Sequence, residues 1–222
     1  ALADFGGQGV LKTRRLGYDG KGQRVYRSAA DSAENGYAAL GNVPLILESF
    51  VSFEREISII AARGIDGTVA CYDPAENVHR NGILHTSTLP ARISQETAMA
   101  ARQAAERILT ALGYVGVIGI EFVVRADGSL VVNEMAPRVH NSGHWTEAAC
   151  VISQFEQHIR AVAGLPLGNP DRHSDCVMTN LIGDDILALP EWLRLDDTLV
   201  HLYGKTEARP GRKMGHVTQL LR

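Results

Sequence analysis

The stretch Gly119-Ile120-Glu121-Phe122-Val123-Val124, continued by Arg125-Ala126-Asp127-Gly128-Ser129 and Leu130-Val131-Val132-Asn133-Glu134, reads as two strands joined by a tight turn. With Asp127-Gly128 as a two-residue turn, Glu121 falls directly opposite Glu134 on one face of the hairpin. Cross-strand Cβ atoms lie ~5 Å apart, and like charges at that distance destabilise a sheet. No cation neighbours either residue in sequence. A hard divalent cation of the Mg²⁺ type, which takes carboxylate and phosphate oxygens, would resolve the conflict. The other reading is a solvated sheet face whose register slips by one or two residues.

Outward from this hairpin, Val115–Val124 and Leu130–Met135 are its strands. Ser94 is placed to cap an alanine-rich helix with apolar positions at Ala98, Ala101, Ala105, Ile108, Leu109 and Leu112, closed by Gly113. Ser153-Gln154-Phe155-Glu156 is a capping-box pattern opening a helix that stops at Gly164 and Pro166. Glu56–Arg63 and Thr68–Tyr72 flank Gly64-Ile65-Asp66-Gly67 as a second hairpin. Nearer the start, Val10–Thr13 and Val43–Glu48 are strands, and Ser28 would cap a helix running to about Leu40. Short strand-like runs recur at Cys176–Ile182 and Leu199–Tyr203, and the chain then enters a basic turn, Lys205–Lys213. The expected class is α+β with mainly antiparallel hairpins and a small β-rich part from about residue 175.

Of the 222 residues, 45% are hydrophobic, which is enough for a real core. The net charge of −3 provides no long-range basic field, so binding to nucleic acid or an anionic membrane is not expected. Any anionic ligand must meet a local cluster of cations. Three scattered cysteines argue against a disulfide framework or a thiolate zinc site. The first residues lack the basic start and apolar core of a signal peptide, and a reduced cytoplasmic protein is expected. The chain opens on Ala1 with no Met and is expected to be the tail of a longer protein.

Gly17–Gln23 is a glycine-rich loop between two strands. Its backbone N–H groups could approach phosphate oxygens, with Lys12 and Lys21 supplying charge, although a plain hairpin turn is the simpler reading. No Gly-Lys-Ser/Thr leads into a helix, so it is not a Walker loop. Asn133–Trp145 crowds polar, reactive types directly after a strand: Arg138 could neutralise an oxyanion, and Asn141 and Ser142 could donate hydrogen bonds. His140 and His144 are four apart, but Asn141-Ser142-Gly143 between them opposes a helix and hence a zinc pair. His79 reads as a turn residue beside Asn77 and Asn81. Lys205, Arg209, Arg212 and Lys213 form a basic loop, either a solvated turn or a phosphate grip.

Three runs together resemble the ATP-grasp family, and within it the carboxylating 5-(carboxyamino)imidazole ribonucleotide synthase branch. They are Leu11–Gln23, Asn133–Trp145 with Ser153–Glu156, and His201–Lys205 with Gly211–His216. The resemblance implies an ATP-grasp domain over 1–174, with a smaller lobe to about residue 52 and a larger one from 53, then a small β-rich C-terminal domain over 175–222. It also implies a preceding α/β domain that is absent from this chain, and weak nucleotide binding by this part alone.

For ATP it implies Lys12, the flap Gly17, Tyr18, Asp19, Gly20, Lys21, Gly22 and Gln23, the segment Glu48, Ser49, Phe50 and Val51, and Glu56, His79, Asn133 and Glu134. Glu121 and Glu134 would hold Mg²⁺, with Mn²⁺ an alternative. Arg138, Asn141, Ser142 and His144 would act in catalysis on bicarbonate, and Asp19, Lys21, Lys205 and Arg212 would bind aminoimidazole ribonucleotide. The implied protein is a cytoplasmic homodimeric ligase forming a C–N bond, releasing ADP and serving purine biosynthesis. Another ATP-grasp ligase or carboxylase, or a non-catalytic nucleotide-binding fragment, stays open as an alternative.

Overall fold

The computed structural model describes residues 2–17, 21–28, 31 and 35–221. They divide into two units, Ala1–Ser52 with Asn81–Ile83, and Phe53–Arg80 with Leu84–Arg222. In the first unit, β1 (Gly9–Thr13) lies between β2 (Gln23–Tyr26) and β3 (Leu45–Ser49), antiparallel to both. The helix expected from Ser28 falls partly on residues outside those described. Among the described residues α1 covers Gly36–Ala39 and is entered from Asn35 in the left-handed region. Ser28 and Arg27 donate backbone N–H groups to Asp31 Oδ2.

The second unit is built on a nine-stranded sheet. Its strands are β4 (Arg55–Arg63), β5 (Val69–Cys71), β6 (Ala75–Arg80), β7 (Ile83–Leu89), β8 (Gly116–Val124), β9 (Leu130–Ala136), β10 (Asp175–Ile182), β11 (Thr198–Leu202) and β12 (Lys213–Leu221). The order is β11-β12-β10-β7-β6-β4-β8-β9, with β5 against β4. The pairs β4·β6, β4·β8, β8·β9, β7·β10, β10·β12 and β11·β12 are all antiparallel. The segment expected as a separate β-rich domain thus extends the same sheet through β10 and β7. His79, expected in a turn, lies in β6.

Helix α2 (Gln95–Leu112) matches its sequence signals closely. Ser94 Oγ accepts the Thr97 N–H, and Gly113 closes the helix at φ +58°. Thr97, Ala101, Ala105 and Leu109 recur every four residues and are the buried stripe. That stripe packs on Ile57, Ile59 and Ala61 of β4 and on Ile118, Ile120 and Phe122 of β8. The opposite face of the sheet holds a second core, in which Ile60, Ala62 and Val117 meet Tyr72, Trp145, Ala149, Cys150, Cys176 and Met178. Two short helices lie in this part of the chain, α3 (Thr146–Ala149) and α4 (Gln154–Val162).

Glu76 of β6 is 7% exposed and forked by cations. Arg92 donates to both of its carboxylate oxygens, at 2.7 Å through Nη2 and 3.3 Å through Nε, and Arg55 Nη1 lies 3.3 Å away. These hydrogen bonds hold its carboxyl below the ordinary value of 4.5, with desolvation opposing. A depressed carboxyl contributes stability that is present above about pH 4.5 and lost as pH falls through the native value. Glu76→Gln is expected to cost about 1.5–3 kcal/mol at neutral pH. Urea unfolding from pH 7 down to pH 3 checks this. The gap between variant and parent should close at the acid end, and an equal gap at all pH values would refute the assignment.

Candidate active site

β4 and β8 change character halfway along one face. On the side away from α2, Ala62 and Ile60 of β4 are core residues, but the next two residues on that face are Ser58 and Glu56. β8 does the same, with Val117 in the core, then Gly119, then Glu121. The register sets Ser58 opposite Glu121 and Glu121 opposite Glu134, a row across three strands. The facing carboxylates expected from the sequence are therefore present. Two offsets cancel to give them. Arg125 N–H bonds Ser129 O at 3.0 Å, which closes a turn one residue longer than expected, and a bulge at Asn133 restores the register before Glu134.

The electrostatics around this row are those of crowded negative charge. Burial raises the Glu121 carboxyl above its ordinary value, and the charges of Glu134 and Glu56 raise it further, against His79 and Lys213. Its side chain is 13% exposed, whereas Glu134 is open to solvent. His79 Nδ1 meets Glu56 Oε2 at 2.5 Å. Burial opposes protonation of His79, but the hydrogen bond to Glu56 and the charges of Glu56 and Glu121 prevail and raise its pKa. Two facing carboxylates with hard oxygens, one buried and one open, fit a Mg²⁺ ion shared with phosphate oxygens.

The polar run after β9 is anchored by its last residue. Trp145 is fully buried and meets Tyr72 edge-on, with centroids 6.2 Å apart. His140 lies flat on β8, where a Cβ on Gly119 would come within 2.5 Å of His140 Cβ, so glycine is required there. Gln154, fully buried at the start of α4, clamps the same residue. Its Oε1 accepts the His140 N–H at 2.9 Å and its Nε2 donates to His140 O at 2.7 Å. Gly143 is needed for this clamp, since a Cβ there would meet Gln154 Oε1 at 2.7 Å and Ile60 Cγ1 at 2.6 Å. The His140 ring is thereby held with Nε2 3.9 Å from Glu121 Oε1 and Nδ1 2.8 Å from Ser142 Oγ.

Asn141 is fixed by a reciprocal amide pair. It donates to Asn180 Oδ1 at 2.9 Å and accepts from Asn180 Nδ2 at 2.8 Å, which ties the loop to β10. Arg138 Nη1 donates to Val139 O at 2.9 Å on an exposed part of the loop. His144 turns its ring to Phe155, His216 and Tyr203.

Lys205 and Arg212 sit on the loop between β11 and β12. Lys205 Nζ donates to Lys213 O at 2.6 Å and Arg212 Nη1 to Glu207 O at 3.1 Å, so the basic loop is ordered by its own cations. Lys213, at the start of β12, acts electrostatically on Glu121, His79 and His144.

In the first unit, Lys12 Nζ bonds Glu48 Oε2 at 2.6 Å, so two of the residues implied for ATP pair with each other. Gly17, Lys21 and Gly22 belong to the β1–β2 connection, closed by Thr13 N–H to Gly22 O at 2.8 Å, and Gln23 opens β2 opposite Lys12. Tyr18, Asp19 and Gly20 lie outside the described residues. Ser49 ends β3, and Phe50 and Val51 follow it, Phe50 under the Arg27 guanidinium.

In the second unit the structure gathers Glu56, His79, Glu121 and Glu134 at one end of the sheet. It adds three residues whose part the sequence reading missed. His140 was considered only as half of a rejected zinc pair, Lys213 only as part of the basic loop, and Gln154 only as a helix-capping residue.

The ATP-grasp domain model matches residues 1–155, and the phosphoribosylaminoimidazole carboxylase C-terminal domain model matches 176–222. The N5-carboxyaminoimidazole ribonucleotide synthase of Brucella melitensis is 66% identical over 221 residues, covering 99% of this chain and 61% of that protein. Among solved structures, an ADP complex of an N5-carboxyaminoimidazole ribonucleotide synthetase superposes with TM-score 0.94 at 44% identity. It covers 100% of this chain and 59% of its own. The Aspergillus clavatus enzyme, in complex with ADP and 5-aminoimidazole ribonucleotide, gives TM-score 0.91 at 31% identity over 99% of this chain and 59% of its own. This chain therefore spans about three-fifths of the length of these relatives. With antiparallel sheets in both units and a family match running from residue 1 to 155, the chain belongs to the ATP-grasp family.

Proposed function

We propose that this chain supplies the ATP-grasp part and the C-terminal part of an enzyme that carboxylates 5-aminoimidazole ribonucleotide with bicarbonate at the expense of ATP. One observation carries the reading: Glu56, His79, Glu121 and Glu134 converge on the polar end of one sheet face, beside His140 and Lys213. The relatives' names include ATP, ADP and aminoimidazole ribonucleotide, bicarbonate comes from the resemblance, and the clustered carboxylates support phosphate and metal chemistry on this sheet.

Glu121 and Glu134, with Asn133 at the bulge of β9 beside Glu134, would hold Mg²⁺ or Mn²⁺. The ion would supply charge neutralisation at the transferring phosphoryl group. In the proposed reaction a bicarbonate oxygen bonds to the γ-phosphorus as the bond to ADP breaks, giving carboxyphosphate. Carboxyphosphate releases CO₂ and phosphate, the substrate's exocyclic amine bonds to the carbon, and phosphate takes the amine's proton.

The chain's own groups would position these pieces. Arg138 and Lys213 offset developing negative charge. His140 is held against Glu121 by the Gln154 clamp, with Ser142 on its other nitrogen. Asn141 keeps its orientation through Asn180, and Lys205 and Arg212 would face the substrate's 5′-phosphate. In the first unit the resemblance adds Lys12, Gly17–Gln23 and Glu48–Val51 as nucleotide contacts. The same resemblance carries the proposal of a cytoplasmic homodimer.

The test is ADP release by the full-length natural polypeptide containing this sequence, with bicarbonate and aminoimidazole ribonucleotide each present or withheld. Release that requires both is expected. ATP turnover indifferent to both, or supported by formate in place of bicarbonate, would overturn the reading.

A further inference from the structure

Beside the site just described, two pairs of residues from different elements point their side chains at one spot. His144 and Glu147 are three residues apart across the turn entering α3, a spacing that puts both on one side of a helical turn. His201 and His216 are direct cross-strand partners in β11 and β12, their rings stacked 5.1 Å apart at 14°. His144 and His216 meet edge to face, with centroids 4.7 Å apart. One ligand atom from each of His144, Glu147 and His216 falls within 4.8 Å of the other two.

The hydrogen bonding around that spot is incomplete. His144 Nδ1, Glu147 Oε2 and His216 Nε2 are all shut off from solvent, and none of them has a hydrogen-bond partner. His201 Nδ1 and His216 Nε2 come to 3.1 Å and 3.3 Å of Glu147 Oε2, yet neither contact forms a hydrogen bond. His216 is 1% exposed, so water does not satisfy it from bulk. A buried polar atom without a partner costs about 1–3 kcal/mol, and three converging on one place need a common partner. All three can act as electron-pair donors, and one cation would satisfy them together.

We infer that His144, Glu147 and His216, with His201 on the exposed side, bind a zinc-type divalent cation. Two imidazoles and a carboxylate are a standard donor set for zinc, and a third imidazole or a water completes four-coordination. The outer contacts are those such a site uses. Tyr203 Oη lies 3.0 Å from His216 Nδ1, where it accepts that N–H and leaves Nε2 with its lone pair toward the ion. Both histidines are held neutral as ligation demands. Burial, then His216, His201 and more weakly His140 and Lys213, push His144 down to about 3, and burial with His201 pushes His216 down to about 4. The site differs in chemistry from the Glu121–Glu134 pair, which offers only oxygen.

The test uses this chain stripped with chelator and titrated with Co²⁺ alone. One equivalent is expected to give the visible absorption of tetrahedral cobalt, and added Zn²⁺ should bleach it. His144→Gln and His216→Gln should each weaken binding at least ten-fold, while Glu134→Gln leaves it unchanged. X-ray absorption at the zinc edge of the unsubstituted chain is independent of how the variants fold. It should show two or more imidazole nitrogens at about 2.0–2.1 Å. A colourless titration, a band that survives both histidine changes, or a shell containing sulfur would overturn the inference. None of these readouts involves ATP turnover, so failure here leaves the proposed carboxylase reading standing.

Discussion

Replacing Glu134 by Gln is expected to lower ATP turnover by about 10³-fold in the full-length natural enzyme, while making the ligand-free protein slightly more stable. The activity loss follows from removing one of the two carboxylates proposed to hold the cation at the phosphoryl group, worth several kcal/mol in the transition state. The stability gain has the opposite sign for a physical reason. With no cation bound, Glu121 and Glu134 face each other across a strand pair, and the repulsion raises the Glu121 carboxyl beyond what burial does alone. Relieving a like-charge cross-strand pair is worth about 0.2–1 kcal/mol, or about 1–3 °C in Tm for a unit of this size. A coupled ADP assay and a thermal scan without divalent ions read the two effects. A variant that loses activity and also melts earlier would mean that Glu134 serves the fold, not the metal.

The second large effect is expected at Gln154, which touches none of the proposed substrates. Gln154→Leu keeps the volume but strands the His140 N–H and C=O that the amide now satisfies. The expected cost is about 2–5 kcal/mol, on the order of 10 °C in Tm. Gln154→Glu retains the acceptor for His140 N–H and places an anion against His140 O, so its loss should be intermediate. Because the clamp sets the distance from His140 to Glu121, both variants should lower kcat more than they raise KM for ATP. A fall in stability with kcat intact would confine Gln154 to a structural role.

How much of this was legible in the sequence depended on whether a strand had one wet face. α2 and α4 carried capping residues, α2 with a one-sided apolar stripe as well, and both formed where Ser94 and Ser153 indicated. The Glu121–Glu134 pairing was legible because charged residues interrupt two otherwise apolar strands, although the turn and the bulge each departed from the simple hairpin. β12 was missed because it runs between β10 and β11. Met214 through Thr218 are all buried, so no alternation marks the strand. The β6–β7 hairpin carries a signal in Asn81-Gly82, both at positive φ, but Asn81 enters the sequence reading only as a neighbour of His79 in a turn, and Gly82 does not enter it. The stacking of His201 on His216 and the pairing of Asn141 with Asn180 join residues far apart in the chain, and no local pattern encodes them.

The hydrogen bonding of β10 to β7 carries one more consequence. The two family models end at residue 155 and begin again at 176, but β10 beyond that interval pairs with β7 before it, so one sheet joins both parts. Removing the last three strands would lay bare the N–H and C=O groups of β7 along an edge, the kind of surface that recruits other chains and aggregates. It would also leave Asn141 without its amide partner. The C-terminal part therefore acts as an edge guard for the sheet that carries Glu121 and Glu134, so that loss or exchange of this module carries a solubility penalty.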